Sequence, residues 1–297
     1  DNFEGYNKHY FLGGSAGFNN FEGLLKNVDG LQMHTEGSFT AQPVNVWGIS
    51  DKDLFYEANK VFKQEKKPFF AIVQTAYNHR PYMIPAADTD FVKKTVPIEE
   101  LLKYGFESED EYNTFRYSDY SFQKFMEAAQ KEDYFHNTIF VFIGDHGVAG
   151  NATEMYPPVW TTARLTDEHV PFLIYAPHLF QPVLRSEVVS QIDVLPTIAG
   201  LIQQPYVNTT LGRNVLDTGK KNNFAFITNT AGTIGLVTDE FYFTKNLNYP
   251  QEQLMYMTRS PKNYTDKQLD SIKNRLSLQT TAIFETARYM LMNNKDY

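Results

Sequence analysis

Hydrophobic residues alternate along the chain between short continuous runs and helical stripes. Residues 68–82 begin with the run PFFAIV, and residues 138–143 read TIFVFI. Continuous apolar runs of this length are typical of strands that are buried on both faces of a sheet. Between them, residues 110–132 repeat Phe and Met at helical spacing, which predicts a helix with one apolar face. A further run at residues 169–177 predicts another buried strand, which Pro177 stops.

Helices that alternate with buried strands predict an α/β fold of parallel βαβ units, in which helices flank a mostly parallel sheet. Such sheets bind ligands beyond the carboxyl ends of their strands. The segment SEVVSQIDVLPTIAGLI at residues 186–202 predicts a short strand and then a helix that Asp193 would cap. The segment WGISDKDLF at residues 47–55 predicts another helix start, capped by Ser50 or Asp51.

The pattern changes near residue 222. There the sequence NFAFITNTAGTIGLVTDEFYFTKNLN alternates in short runs around glycines, which favours antiparallel hairpins. Residues 265–294 then predict a long helix. Its apolar stripe consists of Ile272, Leu276, Leu278, Ala282, Ile283, Ala287, Met290 and Leu291. We therefore predict two regions: an α/β core at residues 1–215, and antiparallel strands with a final helix at residues 216–297.

Composition and charge narrow the possible functions. The chain has 297 residues, of which 42% are hydrophobic, enough for a large buried core. Its net charge of −8 and the absence of a Lys/Arg stripe argue against nucleic-acid binding. There is no cysteine, which excludes disulfides, thiolate catalysis and cysteine metal ligands. No apolar run reaches the roughly 20 residues of a membrane span, and no signal peptide opens the chain.

The segment GDHG directly follows the predicted strand at residues 138–143 and holds Asp145 and His146. A carboxylate oxygen and an imidazole nitrogen together suit Zn²⁺ or Mn²⁺ better than Ca²⁺ or Mg²⁺ alone. The flanking glycines allow a sharp turn, so both side chains can converge on one ion. The alternative is a turn in which Asp145 caps and His146 only fills space.

A second polar cluster, NHRPY, follows the predicted strand at residues 69–75. There, His79 with Arg80 would bind an anionic or hydroxyl group of a substrate, or the cluster is simply a rigid polar loop. The glycine-rich segment GGSAGFNNF lacks the Gly-Lys-Ser/Thr ending of a phosphate-binding loop, and Asn19 and Asn20 could reach a substrate from it. His169 is a weaker candidate for a residue that supports a site. The histidines without partners at metal-like spacing, expected to be surface or satisfied polar residues, are His9, His34, His136 and His178.

Taken together, these segments resemble the sulfatase/phosphoglycerol-transferase branch of the alkaline phosphatase superfamily, and most closely the lipoteichoic acid synthase-like proteins. The resemblance rests on WGISDKDLF before PFFAIVQTAYNHRPY, on RYSDYSFQKF before TIFVFIGDHG, and on HVPFLIYAP before SQIDVLPTIAGL. It covers roughly residues 10 to 215. It implies an alkaline phosphatase-like fold that lacks its N-terminal part here.

The resemblance also implies a function. Asp145 and His146 would bind one divalent metal ion, Mn²⁺ foremost and Zn²⁺ or Mg²⁺ otherwise, and His79 would contact the transferred head group. The substrate would be a phosphate or sulfate ester, linked to a lipid or glycan. The segment with Asn19 and Asn20 stands where the synthases place Trp-Asn-Arg-Asp, so an arginine is absent here.

The nucleophilic Thr of the family lies ahead of the matched region. We therefore expect it upstream of Asp1, and we expect this chain to be inactive alone. The whole protein would be a membrane-anchored transferase or hydrolase on the extracytoplasmic face of a bacterial membrane. One alternative is a non-catalytic binding module for an anionic glycan or lipid head group. Another keeps the fold but reduces Asp145 and His146 to capping residues.

Overall fold

The computed structural model describes residues 3–217, 219 and 223–293. The chain forms two compact units. The first contains Phe3–Asp145 and Val170–Gln181, and the second contains His146–His169 and Pro182–Tyr297. One division between the units therefore falls between Asp145 and His146. The domain boundary predicted at residue 215 does not coincide with this division and stays a prediction.

Helices and strands follow one another along the whole described chain. The strands are β1 (Asn7–Leu12), β2 (Leu31–His34), β3 (Phe69–Gln74), β4 (Phe140–Ile143), β5 (Phe172–Tyr175), β6 (Ala225–Thr228), β7 (Thr233–Val237), β8 (Phe241–Asn246) and β9 (Glu252–Tyr256). The helices are α1 (Phe21–Leu25), α2 (Asp51–Phe62), α3 (Ile98–Lys103), α4 (Glu109–Ala129), α5 (Pro158–Thr162), α6 (Val194–Leu201) and α7 (Asp266–Asn293).

The first unit contains a parallel sheet with the strand order β2-β1-β3. Strand β1 pairs with both neighbours in parallel, and Leu12 at its end stands opposite Gln74 of β3. The expected parallel βαβ arrangement is confirmed for these strands. Because the carboxyl ends of β1 and β3 lie side by side, the segments after Leu12 and after Gln74 emerge at one edge of the sheet.

A hydrophobic core holds this sheet against α2 and α4. It is centred on Phe11, which is fully buried, and on Ala58 and Phe62 of α2. Phe125 and Ala129 of α4 complete the centre. The residues that α4 buries here follow the predicted helical stripe. Sheet and helices thus fix the loops that carry the candidate site residues of this unit.

Strands β4 and β5 correct one expectation. Both were predicted as members of parallel units, but they pair antiparallel, with Phe140 opposite Tyr175. The reason is that β5 begins where β4 ends. Gly144 lies against Val170, and its N–H donates to the carbonyl oxygen of Pro171. An apolar run carries no mark of direction, so either pairing buries the same side chains.

The second unit contains the predicted antiparallel strands, in the order β6-β7-β8-β9. The predicted long helix is α7, and it buries Leu276 against Leu236 and Phe243 of this sheet. The predicted apolar stripe of α7 is only partly buried: Leu278 and Leu291 are 75% and 81% exposed. Two residues along a helix turn the side chain by roughly 200°, which places Leu278 opposite Leu276. None of the helices in the described ranges is long and apolar enough to cross a membrane.

Both predicted helix starts are found, but only the first has a predicted residue as its cap. The side chain of Ser50 accepts a hydrogen bond from the backbone N–H of Asp53, so Ser50 is the N-cap of α2. For the segment at 186–202, the predicted short strand is absent, and the helical segment opens with a capping box between Ser190 and Asp193. Asp193 therefore acts from the third helical position, while Ser190 is the cap.

Candidate functional site

His79 lies in the loop that follows β3, at the carboxyl edge of the parallel sheet. Its imidazole is exposed and lies against the indole of Trp47, with ring centroids 4.3 Å apart. The Trp47 indole N–H also donates to the carbonyl oxygen of Arg80 over 2.7 Å. His79 is therefore held beside a ring from another loop, with its backbone fixed on the far side.

The segment after β1 reaches the same cluster. Phe18 meets the edge of Trp47 at 5.2 Å between ring centroids, so Trp47 stands between Phe18 and His79. Asn19 and Asn20 follow Phe18, and both are exposed with left-handed backbone angles, which asparagine tolerates. The structure thus brings the predicted substrate segments together through Trp47. Sequence reasoning assigned Trp47 only to a helix start and missed this role.

Trp47 lies beside His79 because the backbone at Gly13 and Gly14 closely approaches the backbone at Trp47 and Gly48. Gly14 lies against the carbonyl group of Trp47, and a Cβ atom on Gly14 would stand 2.7 Å from that oxygen. Gly48, the residue after Trp47, has a φ of +95° and lies against the carbonyl group of Gly13. Only glycine fits both positions without strain.

Arg80 projects from the same loop into solvent. Its guanidinium forms a 2.9 Å ion pair with Glu107, and both side chains are largely exposed. A hydrogen bond with Tyr82 and then the charge of Glu107 raise the pKa of Arg80, so it carries a fixed positive charge. Exposed ion pairs of this kind exchange partners at little cost, so Arg80 remains able to meet an anionic ligand.

Asp145 and His146 directly follow β4, and both are exposed. The Nδ1 of His146 lies 2.8 Å from the carbonyl oxygen of Gly147. Because a carbonyl oxygen can only accept, Nδ1 is the donor in this contact. The sharp turn depends on Gly147, where a Cβ atom would stand 1.9 Å from the carbonyl oxygen of Thr166.

The donor atoms of this pair match a divalent cation in kind, as a carboxylate oxygen and an imidazole nitrogen do for Mn²⁺ or Zn²⁺. Across residues 3–217, 219 and 223–293, no three His, Asp or Glu side chains are grouped so that they could hold a metal ion. Such metals usually take three or four protein ligands, and the metal role of Asp145 and His146 stays a prediction.

The remaining histidines take other roles. His9 is buried, and its ring nitrogens lie 3.0 Å from Glu65 and 3.2 Å from His34. This confirms a satisfied polar role for these two histidines. In the second unit, His169 meets the rings of Trp160 and Tyr156 edge-on, and partial burial there lowers its pKa.

Residues 2–204 match the family described as Sulfatase. The chain belongs to the sulfatase family. Among curated relatives it is 26% identical to the "Lipoteichoic acid synthase-like YvgJ" of Bacillus subtilis, over 69% of this chain and 33% of that protein. It is 22% identical to the lipoteichoic acid synthase of Staphylococcus saprophyticus, over 92% of this chain and 42% of that protein.

Solved structures agree on the fold of this sulfatase-family chain. The lipoteichoic acid synthase LtaP from Listeria monocytogenes superposes with a TM-score of 0.75 at 18% identity, over 96% of this chain and 70% of that chain. A Vibrio parahaemolyticus protein of the alkaline phosphatase superfamily gives a TM-score of 0.67 at 24% identity, over 95% of this chain and 66% of that chain. The expected alkaline phosphatase-like α/β fold is confirmed. The chain spans a third to less than half of the curated relatives it matches.

Proposed function

We propose that the protein containing this chain transfers or hydrolyses a phosphate or sulfate ester with the help of a divalent metal ion. The observation that carries this proposal is the sulfatase-family match over residues 2–204, within which Asp145 and His146 stand exposed at the end of β4. Lipoteichoic acid synthases among the relatives favour a phospho-group transferase similar to phosphoglycerol transferases.

Asp145 and His146 would hold the metal ion through a carboxylate oxygen and an imidazole nitrogen. Mn²⁺ is the foremost candidate, and Zn²⁺ or Mg²⁺ would also suit an oxygen–nitrogen site. When bound, such an ion stabilises negative charge on the transferred group and activates a hydroxyl nucleophile. The chain's own contribution would be one imidazole nitrogen and one carboxylate from adjacent residues.

The head group of the ester would lie against the cluster at the sheet edge. His79 donates or accepts a hydrogen bond from its exposed imidazole, and Arg80 supplies a positive charge when it leaves Glu107. Asn19 and Asn20 offer neutral amide donors where the related synthases place an arginine. The ligand would be anionic, with a lipid- or glycan-linked remainder beyond the site.

The nucleophile would come from outside the matched segments. We propose a threonine that precedes Asp1 in the whole protein, so that this chain alone lacks activity. The whole protein would be anchored in a bacterial membrane and would carry this domain on the extracytoplasmic face. This placement is proposed by analogy with the synthases.

The test is turnover by the full protein of p-nitrophenyl phosphate, p-nitrophenyl sulfate and phosphatidylglycerol, with and without added Mn²⁺. We expect turnover of at least one ester, which Asp145→Asn and His146→Gln each abolish. His136→Gln is the matched control, because it changes an exposed histidine of the short helical segment Asp133–Asn137. Equal activity of all these variants would refute the metal role.

A non-catalytic binding module is the second candidate. It is favoured by the finding that the described part of the chain groups no three potential metal ligands. If the full protein turns over none of the esters but binds phosphatidylglycerol vesicles or an anionic glycan, and His79→Ala weakens that binding, this second candidate replaces the first.

A further inference from the structure

Asp51 is a buried carboxylate that reaches the loop carrying His79. It is the first residue of α2 and is 2% exposed. Its Oδ1 accepts a hydrogen bond from the backbone N–H of Ala76 over 3.0 Å, and the backbone N–H of Tyr77 donates to the same carboxylate. These two residues lie between the end of β3 and His79.

Helix α4 adds a second attachment to the same loop. The hydroxyl of Ser118 lies 2.9 Å from the amide oxygen of Asn78 and 3.3 Å from Oδ2 of Asp51. Ser118 is itself 6% exposed. The residue directly before His79 is therefore held by α4, through the same Ser118 hydroxyl that lies near the Asp51 carboxylate.

The WGISD segment holds the loop from its other end as well. Trp47 donates its indole N–H to the carbonyl oxygen of Arg80, directly after His79. The backbone on both sides of His79 is thus bound by one short segment, by Asp51 before it and by Trp47 after it. Ser50 caps α2, which leaves Asp51 available for the loop.

Charged and titratable groups surround the carboxylate. Burial raises the pKa of Asp51 from 3.8 to about 6, although the backbone N–H groups of the loop and the Ser118 hydroxyl oppose this rise. The phenol of Tyr77 lies in the field of Asp51, Asp53 and Asp88. Asp88 is paired with Lys52 and accepts a hydrogen bond from Tyr117.

We propose that Asp51 is a positioning residue: its ionised carboxylate fixes the backbone of Ala76 and Tyr77 and thereby sets the orientation of His79 at the edge of the sheet. The proposal rests on the proposed function insofar as His79 contacts the ester head group. Protonation makes the carboxyl group a weaker acceptor for the two loop amides and thereby loosens His79. The WGISD segment is thus part of the site.

The first test is a pH titration, from pH 5 to 8, of the NMR signals of the full protein. Because Asp51 accepts from Ala76 and Tyr77, we expect both amide proton signals to shift through one shared transition near the Asp51 pKa of about 6. Amide signals of Ala76 and Tyr77 that show no such transition would overturn the proposal.

Asp51→Asn is the matching variant, and Asp53→Asn is its control. Asp53 lies in the same first turn of α2 and bonds Ser50. We expect the shared transition to disappear in the first variant and to persist in the second. If Asp51→Asn does not fold, Ser118→Ala decides: because the Ser118 hydroxyl lowers the Asp51 pKa, its loss should move the transition to higher pH. An unmoved transition would contradict the arrangement.

Kinetics separate this proposal from the proposed function. In the full protein, Asp51→Asn should raise KM for the ester by about tenfold, equivalent to about 1.4 kcal/mol, and change kcat less. Asp53→Asn should leave both unchanged. If the wild type turns over no ester, the proposed function fails, while the NMR transition still tests the role of Asp51. If turnover occurs but KM is unchanged in Asp51→Asn, the positioning role fails alone.

Discussion

Replacing Gly48 with alanine tests the contact that places Trp47 beside His79. Gly48 has a φ of +95°, and a Cβ atom there would stand 1.9 Å from the carbonyl oxygen of Gly13. The atom in the way belongs to the backbone, so it cannot rotate aside as a side-chain atom could. That same oxygen accepts a hydrogen bond from the N–H of Ile49, so moving it breaks a second contact.

The size of the loss follows from three contributions. A left-handed backbone angle costs alanine about 1–2 kcal/mol. Overpacking against fixed atoms costs about 1–3 kcal/mol, and the displaced hydrogen bond about 1 kcal/mol. We therefore expect Gly48→Ala to lower the free energy of unfolding by about 3–6 kcal/mol, a large part of the roughly 5–15 kcal/mol of a typical domain.

Gly37→Ala is the matched control. Gly37 has a φ of +88°, but a Cβ atom there would meet nothing within 4 Å. This variant isolates the backbone contribution of about 1–2 kcal/mol. Urea unfolding followed by circular dichroism measures both variants. If Gly48→Ala loses no more stability than Gly37→Ala, the close contact between the two glycine segments is refuted.

Three further predictions concern stability. Burial, and then the charge of His9, lower the pKa of His34 below its ordinary value of 6.5. The unfolded chain therefore binds more protons, and stability is lost as the pH falls below 6.5. His34→Gln should weaken this loss between pH 7.5 and 5 in urea titrations, and an unchanged pH dependence would contradict it. Leu276 of α7 is 1% exposed, so Leu276→Ala should lower the free energy of unfolding by about 2–5 kcal/mol. Leu278 is 75% exposed, so Leu278→Ala should lower it by less than about 0.5 kcal/mol. Equal urea midpoints of the two variants would show that the buried face of α7 is assigned wrongly. The Asp193 carboxylate accepts hydrogen bonds from the backbone N–H groups of Ser190 and Arg213, each over 2.9 Å. Asp193→Ala should lower the free energy of unfolding by about 1–3 kcal/mol and speed hydrogen exchange at both amides. Unaltered exchange would contradict these hydrogen bonds.

Features that depend on neighbouring residues could be predicted from the sequence. The apolar run of β3 and the polar residues after it lie within about ten residues of each other, so the local sequence places His79 at the end of a strand. The antiparallel strands from 225 onward follow from their alternation and their glycine turns. The cap of α2 follows from Ser50 before an acidic first turn.

Pairings between distant segments could not be predicted in this way. The direction of β5 relative to β4 depends on where the intervening chain returns, and the apolar run FLIY suits a strand of either direction. Trp47 and Arg80 are 33 residues apart, and nothing around either residue indicates the other. The candidate substrate residues were therefore predicted on separate segments, whereas the structure joins the loop of His79 to the segment that holds Asn19 and Asn20 through Trp47.

Asp51 shows how such a hidden link leaves a trace in the sequence. Two residues suited to capping, Ser50 and Asp51, stand in succession at the start of α2, and one helix start needs only one cap. A second capping residue in that place, here the carboxylate of Asp51, is unremarkable if it is exposed. When it is buried it requires donors from elsewhere, because an unpaired buried charge is costly. The donors here are Ala76, 25 residues away, and Ser118, 67 residues away. A surplus capping residue that becomes buried therefore points to a loop that the helix start holds in place, and in this chain that loop carries His79.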